Sequence, residues 1–165
     1  MPDIKRTTIA TGGKLEPQRK NNYFITLVPP SGQIVQFWLK TFPFPETTSE
    51  VKKTAYFNEE RKWAGGTTVA DITVTLNEYV DQRASVAMAE WRAKVYDPET
   101  GLVGNTGDYK IDGTMHFIGP DKGNEQKWEL QGVWPSTFKA GDGDMSSSDQ
   151  VEVSVTLVID VVKPI

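Results

Sequence analysis

The sequence predicts a mainly β domain of about seven strands with one α-helix, at about residues 82–96, and three observations carry that prediction. Apolar and polar residues alternate with period two in two long runs, Asp71 to Asn77 and Val151 to Asp160. Aromatic and β-branched residues are plentiful. Apolar spacing of helical period is confined to one stretch, where Ala84, Met88, Trp91 and Val95 fall at i, i+4, i+7 and i+11. Strands without interleaved helices imply a closed or sandwiched sheet rather than βαβ units.

A length of 165 residues suits a single domain, here residues 23–165 behind an N-terminal arm, 1–22. The arm is polar, and two readings stay open: a mobile tail, or a segment that orders against a neighbouring subunit. The first strand is Tyr23 to Val28, closed by the turn chemistry of Pro29-Pro30-Ser31-Gly32. Ile34 to Thr41 is expected to return as its hairpin partner. Phe42-Pro43-Phe44-Pro45 cannot extend that pair, since both prolines lack a donor. These phenylalanines either cap the core or meet a partner.

A long loop or hairpin occupies about residues 42–63. Val51 to Phe57 alternates weakly, Asn58 to Lys62 forms its charged tip or return, and Trp63-Ala64-Gly65-Gly66 is expected to reset the direction. Asp71 to Asn77 follows as a clean strand, with Ile72, Val74 and Leu76 on one face. Its polar face matches that of the last strand, so the two are expected to share a sheet. Asp81 is the candidate N-cap of the helix, and Asp97-Pro98 stops it. About fourteen helical residues span about 21 Å, enough to cover one end of a small β structure.

Glu99 to Asp108 reads as a glycine-containing loop without a Gly-Lys-Ser/Thr ending, which argues against a phosphate loop. Tyr109 to Ile118 is the next strand, turned by residues 119–124 into Glu125 to Val133, where Trp128 and Leu130 share a face. Trp134-Pro135 is expected to end that strand. A polar bend, Lys139 to Gln150, precedes the final strand from Val151.

Composition narrows the function. Eighteen basic against twenty-two acidic side chains give a net charge of −4, contrary to a domain that grips phosphates with a basic surface. The chain has no cysteine, which removes disulfides and thiolate metal sites. No apolar run approaches the ~20 residues of a membrane span, and Met1 to Lys20 lacks a signal-peptide core, so no membrane anchor is expected. A lone His116, mid-strand on a polar face, and the absence of Gly-x-Ser-x-Gly argue against a triad hydrolase. Asp142-Gly143-Asp144 begins like a calcium loop, but Ser147 and Val153 stand where glycine and glutamate are required. Neither enzyme activity, metal nor cofactor is expected. Tryptophans could stack on sugars in a carbohydrate-binding β-sandwich, though core packing accounts for Trp91 and Trp128.

Several features then combine. A Trp63-Ala64-Gly65-Gly66 segment precedes the Ile72-Thr73-Val74-Thr75-Leu76 strand, and the helix bearing Trp91 leads to Tyr109-Lys110-x-x-Gly113. Trp128-x-Leu130-x-Gly132-Val133-Trp134-Pro135 and the terminal Val-x-Val-x-Val-x-Leu strand from Val151 complete the order. Over residues 53–161 this resembles the inner tube proteins of contractile bacteriophage tails, whose fold is shared with secretion-system and pyocin tubes.

The resemblance implies a tail-tube β-barrel or sandwich that assembles into hexameric rings, stacked into a channel for DNA passage during ejection. Long loops and the N-terminal segment would lock one ring to the next. It implies self-association, sheath, baseplate and tape-measure partners, and a place in the virion tail after assembly in the host cytoplasm. A tube-initiating or baseplate ring protein, or a DNA-free injection tube, is the variant reading within the same fold. Asp71, Thr73, Thr75, Glu152, Ser154 and Thr156 are the expected lumen-facing residues. Phe42, Phe44, Tyr56, Arg61 and Trp63 are the expected inter-subunit contacts. The chemistry is consistent: a basic wall meeting about eight phosphates would hold DNA fast, whereas a threonine-rich, lightly acidic face would let it pass.

Overall fold

The computed structural model describes residues 19–30, 38–80, 84–118 and 125–165. Within them lie nine strands and two helices: β1 Tyr23–Leu27, β2 Leu39–Thr41, β3 Thr47–Tyr56, β4 Glu59–Val69, β5 Ile72–Asn77, α1 Ala84–Val95, α2 Thr106–Tyr109, β6 Ile111–Ile118, β7 Glu125–Lys139, β8 Glu152–Val158 and β9 Val161–Pro164. Seven strands form one antiparallel sheet in the order β1-β6-β7-β8-β5-β2, with β9 added to β7. β3 and β4 pair only with each other.

The strand β7 joins two leaves. Its first half pairs with β6 and β9, and its second half, from Trp134, pairs with β8. At the bend Gly132 has φ +67°, a left-handed conformation open to glycine at little steric cost. Its N–H donates to Asp112 Oδ1 at 2.9 Å, and a Cβ there would collide with Asp160 Oδ2. Asp160 in turn accepts from Lys110 Nζ at 2.6 Å, so the bend is braced from both flanks.

Alternation places one face of each leaf on a common core. Ile25, Leu27, Met115, Leu130 and Val133 meet Ile72, Val74, Leu76, Val153, Val155 and Leu157, all buried. Each fully buried leucine contributes about 1.5–3 kcal/mol relative to exposure. The helix α1 adds Ala84, Met88 and Trp91 to that cluster and buries Val95, the four residues of the predicted stripe. Trp91 is wholly buried and donates its Nε1–H to the Tyr109 carbonyl at 2.8 Å. The first turn of α1 is capped by Glu78 Oε2, which accepts from the Ser85 N–H at 2.8 Å. Asp81 lies outside the described residues, as do most of the arm 1–22 and Ile34 to Phe37. Among the described residues no helix is long and apolar enough to cross a membrane.

Several expectations are corrected. The sheet is not a closed barrel; among the described residues β1 and β2 stand at the two ends of its strand order. Among the described residues β1 pairs with β6 and β2 with β5; most of the expected hairpin partner of β1, Ile34 to Phe37, lies outside them. The strand count is nine, since the weakly alternating stretch forms two full strands and the residues after Asp160 form β9. Trp63 to Gly66 does not reset the direction; it lies inside β4, where Gly65 and Gly66 oppose Glu50 as a bulge. Pro135 does not end β7. It pairs with Leu157 beside a register shift, where β7 carries β8 alone as a neighbour, so the missing donor is tolerated. The loop after α1 contains the short helix α2, and Tyr109 belongs to it rather than to β6.

Candidate assembly surfaces

Three surfaces stand out once the core is assigned. The first is the outer face of the leaf β7-β8-β5-β2. Cross-strand partners lie on the same side, so Thr73, Thr156 and Thr137 form one row, and Thr75, Ser154 and Lys139 the next. Thr73 and Thr156 hydroxyls are 3.4 Å apart. Glu152 lies opposite Asn77 and pairs with Lys40, while Lys139 pairs with Asp142 at 2.6 Å. The charges here are therefore largely matched within the chain.

Among the described residues the two borders of this leaf are open. β2 has β5 on one side only, and β7 beyond Val133 has β8 on one side only. Successive antiparallel pairings make β7 and β2 run in opposite directions.

The second surface is the β3–β4 hairpin, whose residues are exposed except for partial cover of Gly65 and Val69. One of its faces carries Lys52, Thr54 and Tyr56 opposite Trp63, Arg61 and Glu59. The Arg61 guanidinium sits 4.8 Å from the centre of the Tyr56 ring. The other face holds Lys53, ion-paired to Glu60 at 3.2 Å. Phe57 forms the tip at φ +54°, and its ring meets Tyr56 edge-on at 4.9 Å.

A third feature is a groove of about 450 Å³ between α1 and the second half of β7. The Arg92 Nη1 beside it is closed to solvent and has no hydrogen-bond partner. An unmatched buried donor of this kind costs about 1–3 kcal/mol.

No protein-family model and no curated protein matches the sequence. Solved structures do. A chain of the sheath/tube terminator of the extracellular contractile injection system PVC, in its extended state, superposes with a TM-score of 0.69 at 15% identity, covering 91% of this chain and 97% of that one. The tube-terminating cap of the anti-feeding prophage gives 0.67 at 15% identity, with 91% of each chain covered. A chain of the PVC sheath–tube complex gives 0.65 at 14% identity over 97% of each. The chain has the tail-tube fold.

On the tail-tube fold the residues singled out in the sequence separate. Thr73, Thr75, Glu152, Ser154 and Thr156 come together on one face of adjacent paired strands, and Asp71 lies exposed just before β5. Tyr56, Arg61 and Trp63 gather on one face of the hairpin. Phe42 does not join them: it is 8% exposed and packed in the core. Phe44 is exposed and meets the Trp128 ring at 5.0 Å, so of the two phenylalanines Phe42 follows the core-cap reading.

Thr137 and Lys139 join the polar face of β5 and β8 beyond the residues expected there, because β7 continues past Pro135, where the sequence predicts an end. The sequence reading missed Arg92, whose signal is one long cation set among alanines on a helix. The Asp144 carboxylate serves the turn, accepting from the Ser146 N–H and hydroxyl, which hold it below the usual aspartate range. His116 sits 3.2 Å from the Thr114 hydroxyl on the outer face of the other leaf.

Proposed function

We propose that the chain is a structural, non-enzymatic protomer of a contractile-tail tube, joining side by side into hexameric rings that stack into a channel. The observation that carries this reading is the four-stranded leaf with a polar outer face and two open, oppositely directed borders. A rotation that continues the leaf sideways preserves strand direction. The β7 border of one copy therefore meets the β2 border of the next in antiparallel fashion, and a ring leaves no such border unpaired. Likeness to tube and tube-terminator chains supports the same reading.

In this reading Asp71, Thr73, Thr75, Glu152, Ser154 and Thr156 line the lumen, extended by Thr137 and Lys139. The hairpin, with Tyr56, Arg61 and Trp63, reaches adjacent subunits, Phe44 adds a contact at the body, and the segment 1–22 locks stacked rings. Sheath, baseplate and tape-measure proteins are the partners, in a virion tail assembled in the host cytoplasm. DNA passes without specific binding, because hydroxyls and internally paired charges offer phosphates few free cations. A tube-terminating ring is the second reading, favoured by the terminator chains among the similar structures.

Electron microscopy of the purified protein tests both. Tubes with a central channel support the protomer reading, and isolated rings that never elongate support the terminator. A protein that stays monomeric at high concentration overturns both. Thr73→Lys with Thr156→Lys should leave the subunit folded but slow DNA ejection; unchanged ejection kinetics would remove the lumen assignment.

A further inference from the structure

The groove beside α1 is lined by Ala89, Ala93, Tyr96, Pro98 and Phe138, with Arg92 as its charged member. A largely apolar groove edged by a cation, Arg92, that makes no ion pair among the described residues matches an occupant that brings an apolar group and a carboxylate together. The hairpin tip offers both. Phe57 is 89% exposed. It also takes a left-handed conformation that glycine or asparagine would adopt more cheaply, so an aromatic side chain is held there against local preference. Two residues on, Glu59 is exposed and makes no ion pair among the described residues, whereas Glu60 is matched by Lys53 and Lys62.

We propose that the hairpin tip of a second copy of this chain seats in the α1–β7 groove. Phe57 packs against Ala89, Ala93 and Phe138, and the Glu59 carboxylate accepts from Arg92. Ten residues of β3 extend about 33 Å, roughly twice the ~15 Å radius of gyration expected for a compact chain of this length. The tip can therefore reach past its own body. Tip and groove are different patches, so the contact is head-to-tail and repeats from copy to copy. The inference rests on the tube reading, which makes identical copies the neighbours, but it can fail separately.

The chain has no cysteine, so introduced thiols report cleanly. Protein carrying Asn58→Cys is mixed with mass-tagged protein carrying Ala93→Cys and oxidised; the control pairs Asn58→Cys with Val151→Cys on β8's exposed flank. Cross-linked heterodimer at roughly tenfold or more above the control is expected, and yield equal to the control overturns the contact. In parallel, Arg92→Glu and Glu59→Arg should each raise the concentration needed for assembly by roughly tenfold, with the double exchange restoring it. Tubes formed as readily by Arg92→Glu as by the native chain, or a double exchange that restores nothing, overturn the contact while leaving the tube reading in place. Specific cross-linking without rings or tubes in the microscope keeps the contact and removes the tube reading.

Discussion

The body of the molecule and its β3–β4 hairpin are both antiparallel sheet, yet they are held by different forces. In the body, β5 and β8 bury every second residue against a shared core. The hairpin has ten- and eleven-residue strands, of which Val69 alone, at the end of β4, packs against the core. What holds it is its own ladder, a Ser49–Thr67 hydroxyl contact at 2.9 Å, the Arg61–Tyr56 stack and the Lys53–Glu60 pair. A lone two-stranded ribbon is marginal in water. The difference teaches that strand length and strand stability are separate properties: length comes from backbone pairing, and stability from a surface to cover.

The largest break in the comparison should come from the core. Trp91→Ala removes a wholly buried ring and leaves the Tyr109 carbonyl without its donor, and should lower unfolding free energy by about 3–5 kcal/mol in urea titration. Gly132→Val should follow, at about 1–3 kcal/mol, because a β-branched residue at φ +67° is strained and Asp160 must move. Replacing residues 52–62 with an Asn-Gly turn should change stability of the body by no more than about 0.5 kcal/mol while abolishing assembly. A loss above about 2 kcal/mol would mean that the hairpin supports the body after all.

The smallest effect is a titration at the body's own border. Hydrogen bonds from Lys163 and then Gln131 hold the Glu129 carboxyl below the usual glutamate range. A lowered folded value stabilises at pH above the ordinary one, and the gain disappears as pH falls through the lowered value. Protection of the β9 amides relative to their intrinsic exchange at each pH should therefore fall on acidification through that window, and Glu129→Gln should flatten the response. Amides of the hairpin should exchange faster than those of β9 at every pH in the unassembled protein.

Legibility in the sequence followed the same division. The stripe Ala84, Met88, Trp91 and Val95 and the inward faces of β5 and β8 were readable because burial imposes a period. Their polar faces were readable as a pair for the same reason, and the pairing of Thr73 with Thr156 bears this out. The hairpin from Thr47 to Val69 was legible only as a long excursion, since both faces are exposed along almost its whole length. Pro135 misled because its effect depends on whether a second neighbour needs its donor, a fact of topology rather than of local preference. The pairing of β1 with β6 and of β2 with β5 was not legible, because it joins segments far apart in the chain. Phe42 and Phe44 are two residues apart, yet Phe42 is buried in the core and Phe44 stays partly exposed against Trp128, a difference that their shared Phe-Pro context does not signal.

The leaf β7-β8-β5-β2 holds an even number of alternating strands, and parity has a consequence for closure. Five, six or seven copies would all complete the circle with the same kind of seam, because an even alternating set repeats without ever placing two like-directed strands together. In such a ring hydrogen bonding would satisfy every seam but be indifferent to the circumference. The bore of the proposed channel would then be a matter of curvature, chosen by the angle at which each copy leans on the next.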